Sequence, residues 1–460
     1  MRRTPLLFVV LAGCAPLEVE VAFIDRGPCG DDDRDEVDAR GEGEGEDAPG
    51  GEGEGEVAVG EGEGEGEGED DDDDDAPARY LGTDHSPLSR SVVRRLRALR
   101  AAHPELADDV FSKVGASNTV NTGFATCLDG DNVDLGGYGD LDDARAFFAA
   151  GDAAGTSPYD RVSASATVGW STFKALQGDP RPVDVEVDAA RPAFAVVLFG
   201  TNDIQLRNIG KYADDMLALT DALLDRGVIP LLSTVPPRAD DEGADVDVPR
   251  YGLVARMIAE SRQVPFLDLD RRLRALPDHG LGGDGIHMNV DPRGGCRFDD
   301  DGLGHGFNVR NLQTLQALAA LKRSVVDEVD VFEPAGPPRR GRGTAADPLV
   351  VDVLPFTGTA DTSTSASRER DAYDCAPAID ESGPEVTATV TLTEPGTLHA
   401  LVFDQGAVDV DVHLLQGDRC LLRSDKEVVA DVDAGTYTLV FDSFGGDAQA
   451  GPFQIVVYRD

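Results

Sequence analysis

Three apolar runs, Phe194–Phe199, Val228–Leu232 and Val264–Leu269, are nearly continuous rather than alternating. A strand buried on one face alternates apolar with polar side chains. An unbroken run of this length therefore reads as a strand covered on both faces, as in a parallel sheet. Tyr212–Asp225 carries Met216, Leu217, Leu219, Leu223 and Leu224 at helical spacing, and Tyr251–Ile258 repeats the pattern. Strand and helix in alternation imply right-handed crossovers and an α/β fold with a doubly wound, mostly parallel sheet. Ligands of such sheets sit beyond the carboxyl ends of the strands, so the residues to inspect are Gly115–Asn118, Gly200–Asp203 and Ser233–Arg238.

The N-terminal part cannot join that core. Asp31–Asp75 is almost wholly Gly, Glu and Asp, with no apolar pattern to offset the entropy of ordering. Residues 15–77 hold 27 acidic and 3 basic side chains, about half of the net charge of −46. Residues 14–78 read as an acidic, disordered tether, and Asp70–Asp75 as a self-repelling spacer. The remainder is acidic too, which argues against a nucleic-acid partner, because phosphate binding needs a basic footprint.

Ahead of the tether stand Met1-Arg2-Arg3, the apolar run Pro5–Leu11, and Leu11-Ala12-Gly13-Cys14. Residues 1–13 have the layout of a signal peptide and resemble a bacterial lipobox. That resemblance implies lipidation of Cys14, export, and anchoring in the cell envelope at the outer membrane or cell surface. Ala15 stands where an Asp would imply inner-membrane retention. No other segment offers ~20 consecutive apolar residues, so membrane contact is expected only through the Cys14 anchor. Export makes disulfide pairing the default. Cys127 with Cys296, and Cys375 with Cys420, each share a candidate domain, and Cys29 is left over in the tether. No pair has CxxC spacing, and neither a metal nor an organic cofactor is expected.

Residues 79–330 carry the α/β pattern. Pro334–Pro348 is rich in Pro, Gly and Arg, and 331–367 reads as a linker. In 368–460, the runs Glu385–Leu392, Leu398–Phe403, Val408–Leu415, Gly435–Phe441 and Phe453–Tyr458 are short, rich in Val, Thr and aromatics, and separated by Gly or Pro. That spacing predicts a small all-β sandwich.

A hydroxyl nucleophile needs a base, a group to orient that base, and donors where the oxyanion forms. In Val114-Gly115-Ala116-Ser117-Asn118, a Gly turn after a predicted strand would lift Ser117 to the upper edge of the sheet. Gly200-Thr201-Asn202-Asp203 closes the strongest strand and puts the Asn202 amide at the same edge. In Asp284-Gly285-Ile286-His287, a three-residue step lets the carboxylate reach imidazole Nδ1–H and leaves Nε2 free for the serine proton. A metal site of Asp284, His287 and Asp291 is the rival for that loop, but no second histidine lies at ligand spacing. Trp170 reads as core, and Arg238 as a surface ion pair with a second use facing the pocket.

Over about Val110–Ala320 these blocks resemble the SGNH, or GDSL-type, hydrolase family, whose order Ser, Gly, Asn, Asp-x-x-His they follow. The resemblance implies a flavodoxin-like fold, with Ser117 as nucleophile, His287 as base and Asp284 as its orienter. The oxyanion donors would be Ser117 N–H, Asn202 and a glycine for which Gly169 is the candidate, with Ser165 and Ala166 as alternatives. Ala116 departs from the Asp usual in the first block. Asp371–Pro377, Val408–Leu415 and Ala434–Tyr437 resemble the pre-peptidase C-terminal type of sandwich, covering about Arg370–Asp460. Asp409 and Asp411 share a face there and could join Asp374 or Asp442 around weakly held calcium, although a solvated acidic face is the plainer reading. The expected function is a serine esterase acting on carbohydrate or lipid esters through an acyl-enzyme. Its rival is an inactive, surface-displayed polymer-binding protein.

Overall fold

A computed structural model of the chain describes residues 76–460, so Cys14, Cys29 and the tether through residue 75 lie outside the described residues. Helix α1 (Arg90–Ala102) leads into β1 (Ala107–Gly115), followed by α2 (Ser117–Val120), α3 (Asp142–Ala149) and α4 (Pro182–Ala190). Then come β2 (Pro192–Leu198), α5 (Ile209–Asp225), β3 (Ile229–Ser233), α6 (Glu242–Arg262), β4 (Phe266–Leu267), α7 (Leu269–Arg274) and α8 (Gly306–Leu321). The four strands lie in the order β1-β2-β3-β4, all parallel. On the other side of β1, Gly115 makes one parallel bridge to Ala166. There Gly115 N–H donates to Ser165 O (3.1 Å) and Thr167 N–H to Gly115 O (3.2 Å). The chain thus leaves β1 toward one side and returns on the other as β2, which makes the end of β1 the topological switch point of this α/β sheet.

Burial explains the apolar runs. Every residue of β2 is buried, and Phe111, Phe148, Tyr159 and Phe194 interlock edge-to-face, with Phe111–Tyr159 centroids 5.4 Å apart. Each such side chain stabilises the fold by roughly 1.5–3 kcal/mol. Three expectations need correction. Of Val264–Leu269 only Phe266–Leu267 pairs as strand, because Asp268 accepts from Arg271 N–H (3.2 Å) and starts α7. The helix expected from Tyr251 begins at Glu242, capped by Asp241, which accepts from Ala244 N–H (3.1 Å); Pro249 in its interior hides those first turns from a sequence reading. The stretch Val309–Leu321, which reads as amphipathic, is a helix buried nearly all round, with Asn308, Arg310, Asn311 and Gln313 hydrogen-bonded inside.

The C-terminal part holds β5 (Leu349–Val351), β6 (Phe356–Asp361), β7 (Glu385–Leu392), β8 (Gly396–Asp404), β9 (Val410–Gln416), β10 (Arg419–Ser424), β11 (Glu427–Val432), β12 (Gly435–Ser443) and β13 (Pro452–Arg459). Two sheets, β10-β9-β12-β7-β5 and β11-β8-β13-β6, enclose a core that includes Val402, Val412, Leu414, Phe441 and Phe453. All pairings are antiparallel except β5 with β7. Residues 331–367 are therefore not simply a linker, since β5 and β6 take edge positions in the sandwich. Nor does the sandwich stand apart. Leu401, Phe403, Val456 and Tyr458 join the core that contains the parallel sheet, and Arg250 pairs with Glu427 at 2.8 Å. Disulfides join Cys127 to Cys296 and Cys375 to Cys420. Among the described residues, no helix is long and apolar enough to cross a membrane.

Candidate active site

Strand β1 must stop where it does. A Cβ on Gly115 would lie 2.5 Å from Leu198 O and would collide with the Thr119 side chain, so only glycine lets the chain turn this close to β2. The turn puts Ser117 at the start of α2, and its N–H has no acceptor among the described residues. His287 Nε2 stands 2.8 Å from Ser117 Oγ. His287 Nδ1 stands 2.6 Å from Asp284 Oδ2, while Asp284 Oδ1 accepts the N–H groups of Ile286 (3.1 Å) and His287 (3.0 Å). Those donors and the imidazole hold the Asp284 carboxyl down at about 2, so it stays ionised and orients the ring. With Nδ1–H given to Asp284, Nε2 is the acceptor for the serine proton.

The loop after β2 sits beside this chain. Gly200, at φ +118°, could not carry a Cβ without striking Val235. Asp203, given no role of its own in the sequence reading, closes the turn: it accepts from Gly200 N–H (3.1 Å) and from Thr172 N–H (2.9 Å). It thereby fixes the loop 167–172 against the end of β2. Burial raises the Asp203 carboxyl above its ordinary range. Asn202 Nδ2 donates one hydrogen to Trp170 O (2.8 Å), which leaves its second N–H uncommitted. Gly169, adjacent to Trp170, has φ +79° and open space where a Cβ would be, and its N–H has no partner among the described residues. Ser165 is fully buried and hydrogen-bonded to Ser163, and Ala166 N–H is directed at Ser163 O (3.4 Å), so both fit an oxyanion role less well than Gly169.

Supporting residues missed in the sequence are buried and long-range. Asn118 Oδ1 accepts from Met288 N–H (3.3 Å), joining the nucleophile turn to the histidine loop. Arg310 donates to Asn118 O (2.8 Å), and burial brings its guanidinium down to about 9. Glu186 gathers Ser112, Arg161 and Ala164 N–H, which holds the 161–166 segment in place. Arg238 is not a surface residue: 2 % exposed, it forks onto Asp240 (2.6 and 2.7 Å) and donates to Thr201 O (2.9 Å), next to Asn202. Ala239 N–H then reaches Gly285 O (2.8 Å) in the histidine loop. Asp291 is committed to Arg293 (2.6 Å) instead of to His287. Trp170 is half-buried against the core.

The triad is open to solvent, His287 being 36 % and Asp284 53 % exposed. Larger cavities, of about 620 Å³ between α6 and the sandwich and about 990 Å³ beside α8, contain neither Ser117 nor His287. Chemistry, not cavity size, marks the site.

Residues 129–291 match the GDSL-like Lipase/Acylhydrolase family. With that match, the α/β part is a serine ester hydrolase domain. The matched segment spans Gly169, Asn202, Asp284 and His287 and begins after Ser117, so the nucleophile rests on the 2.8 Å contact with His287. Among solved structures, a GDSL-like lipase from Bacteroides thetaiotaomicron is 12% identical with a TM-score of 0.30, over 50% of this chain and 98% of its own. A catalytic mutant of an acetylxylan esterase from Geobacillus stearothermophilus is 14% identical with a TM-score of 0.29, over 45% and 93%. The pre-peptidase C-terminal domain of a Bacillus anthracis collagenase is 12% identical with a TM-score of 0.17, over 23% and 89%. Among curated proteins, none matches.

Proposed function

We propose that this chain is an exported serine esterase, anchored through lipidated Cys14, that cleaves carboxylic esters of carbohydrates or lipids by way of an acyl-enzyme on Ser117. The observation that carries the reading is the continuous chain Ser117 Oγ, His287 Nε2, His287 Nδ1, Asp284 Oδ2, at 2.8 and 2.6 Å. Ser117 Oγ attacks the ester carbonyl carbon as its proton passes to His287 Nε2. The oxyanion accepts from Ser117 N–H, Gly169 N–H and the free N–H of Asn202 Nδ2. Collapse expels the alcohol, which takes the proton back from His287, and a water molecule repeats the sequence to release the acid. Exposure of the triad suits an ester displayed on a large molecule. Ser117→Ala is expected to lower turnover of a p-nitrophenyl acetate panel on the order of 10⁴-fold or more and to abolish fluorophosphonate labelling. Undiminished turnover in that variant overturns the assignment. Wild-type chain that neither labels nor turns over would point to the polymer-binding rival.

A further inference from the structure

The outer face of the five-stranded sheet carries an arrangement that should not be stable as it stands. Pairing sets Glu385 of β7 opposite Asp442 of β12, and Asp442 opposite Asp411 of β9, so three carboxylates form one row across neighbouring strands. Like charges in register repel. His413 lies two residues beyond Asp411 on the same face of β9. Residues 371–382 cover that face, stapled by the Cys375–Cys420 disulfide, and bring Tyr373 and Glu381 down onto it. The face is not solvated: Glu381, His413 and Asp442 are 0 % exposed and Asp411 1 %.

Burial at this depth demands partners, and several atoms have none. Glu381 Oε2, Glu385 Oε2, Asp411 Oδ1, Asp442 Oδ1 and both ring nitrogens of His413 are buried without a hydrogen bond. His413 Nε2 lies 3.4 Å from Glu381 Oε1 but out of line for one. Arg423 is the cation bonded directly to the group, through Asp411 and, at 3.4 Å, Glu381. One guanidinium faces four carboxyl groups whose ionisation in a low-dielectric site is costly unless a further cation offsets it.

We propose that Glu381, His413 and Asp442 bind a divalent metal ion of the zinc class. One donor atom from each lies within 4.8 Å of the other two. Around a shared tetrahedral ion, with metal–ligand distances of about 2.0–2.2 Å, such atoms stand about 3.3–3.6 Å apart, so the three side chains would close on the metal by up to about 1.5 Å. A nitrogen donor beside two carboxylates favours zinc over calcium, which takes oxygen. The surroundings aim the ligands: Tyr373 stacks on the His413 ring at 3.7 Å and donates to Asp442 Oδ2 (2.7 Å), which leaves Oδ1 facing the gap. Neighbouring Cys375 and Cys420 are joined to each other and offer no thiolate. The dication would offset the charge that Arg423 leaves and would tie the 371–382 cover to the sheet.

The test uses the full chain. Elemental analysis after purification in zinc-containing medium is expected to find about one zinc per chain, with one imidazole in its X-ray absorption shell. Chain unfolded with chelator and refolded in zinc sulfate is expected to melt on the order of 5 °C above chain refolded in chelator alone. His413→Gln is expected to lose the metal while keeping p-nitrophenyl acetate turnover. If that variant does not fold, the wild-type refolding comparison decides. Zinc-free chain whose melting is the same in zinc and in chelator overturns the proposal. Protection by calcium chloride and not by zinc also overturns it, since that would mean an oxygen-only site.

Discussion

Two of the groupings of histidine with carboxylates among the described residues are opposites: that of His287 and that of His413. His287 and Asp284 are 36 % and 53 % exposed, and each polar atom that matters has a partner. His413, Glu381 and Asp442 are wholly buried and have unpartnered atoms. Water can solvate the first group at every stage, so its geometry is free to serve proton transfer. The second is cut off from water, and its polar atoms must be satisfied by something held in place. The same residue types therefore point to catalysis at the sheet switch point and to structural stabilisation under a stapled loop.

The sharpest way to break this contrast is to remove the orienting carboxylate. Asp284→Asn is expected to lower kcat on the order of 10³-fold, by losing the charge that fixes the tautomer. Its melting temperature should hardly move, because an exposed ion pair contributes little to stability. A large loss of stability with intact turnover would mean that the exposed grouping is structural. Next in size, Asn202→Ala is expected to lower kcat on the order of 10²-fold with KM little changed, the signature of a donor used mainly in the transition state. A rise in KM alone would make Asn202 a substrate-binding residue.

What could be read in the sequence follows the same divide. Asp284 and His287 lie three residues apart in one loop, so their contact is local and the spacing showed it. Gly115 and Gly200 mark turns that only glycine can make, and they lead directly to Ser117 and Asn202. Asp203, Glu186 and Arg238 act between loops distant in sequence, and nothing in a linear pattern tells a buried ion pair from a surface one. Strands β10 and β11 are half-exposed and polar enough to hide their period. Strands β5 and β6 follow a Pro- and Gly-rich stretch that reads as linker. Alternation put Asp409 and Asp411 on one face, but only tertiary structure shows that Asp411 and His413 lie on the side of β9 away from the sandwich core and that residues 371–382 cover that side.

The smallest expected effect tests the buried group through pH. Burial pushes the Asp442 carboxyl up to about 8 and Asp411, beside Glu381, up to about 7, from an ordinary 3.8. Burial also pushes His413 down to about 3 from 6.5. A carboxyl raised on folding contributes stability that is full below its unfolded value and is lost as pH rises through its folded value. A histidine lowered on folding acts the other way, costing stability below its unfolded value and nothing above it. The opposing terms overlap between about 4 and 6.5, and above 6.5 only the carboxyls act. Burial raises the Glu381 and Glu385 carboxyls beside them in the same direction, so they add to the carboxyl term, while Tyr373, raised by burial, stays neutral and Arg423, raised beside Asp411, stays charged across that window. Metal-free chain in chelator should therefore lose a few degrees of melting temperature between pH 6.5 and about 8.5. Zinc-loaded chain should lose less, because the ion stabilises the ionised carboxylates that protons otherwise neutralise. Asp442→Asn should flatten the chelator profile while the triad, on the far side of the contrast, keeps its own pH dependence of turnover. Equal slopes in zinc, in chelator and in the variant would mean that the buried carboxyls do not change protonation on folding, and the contrast would lose its electrostatic basis.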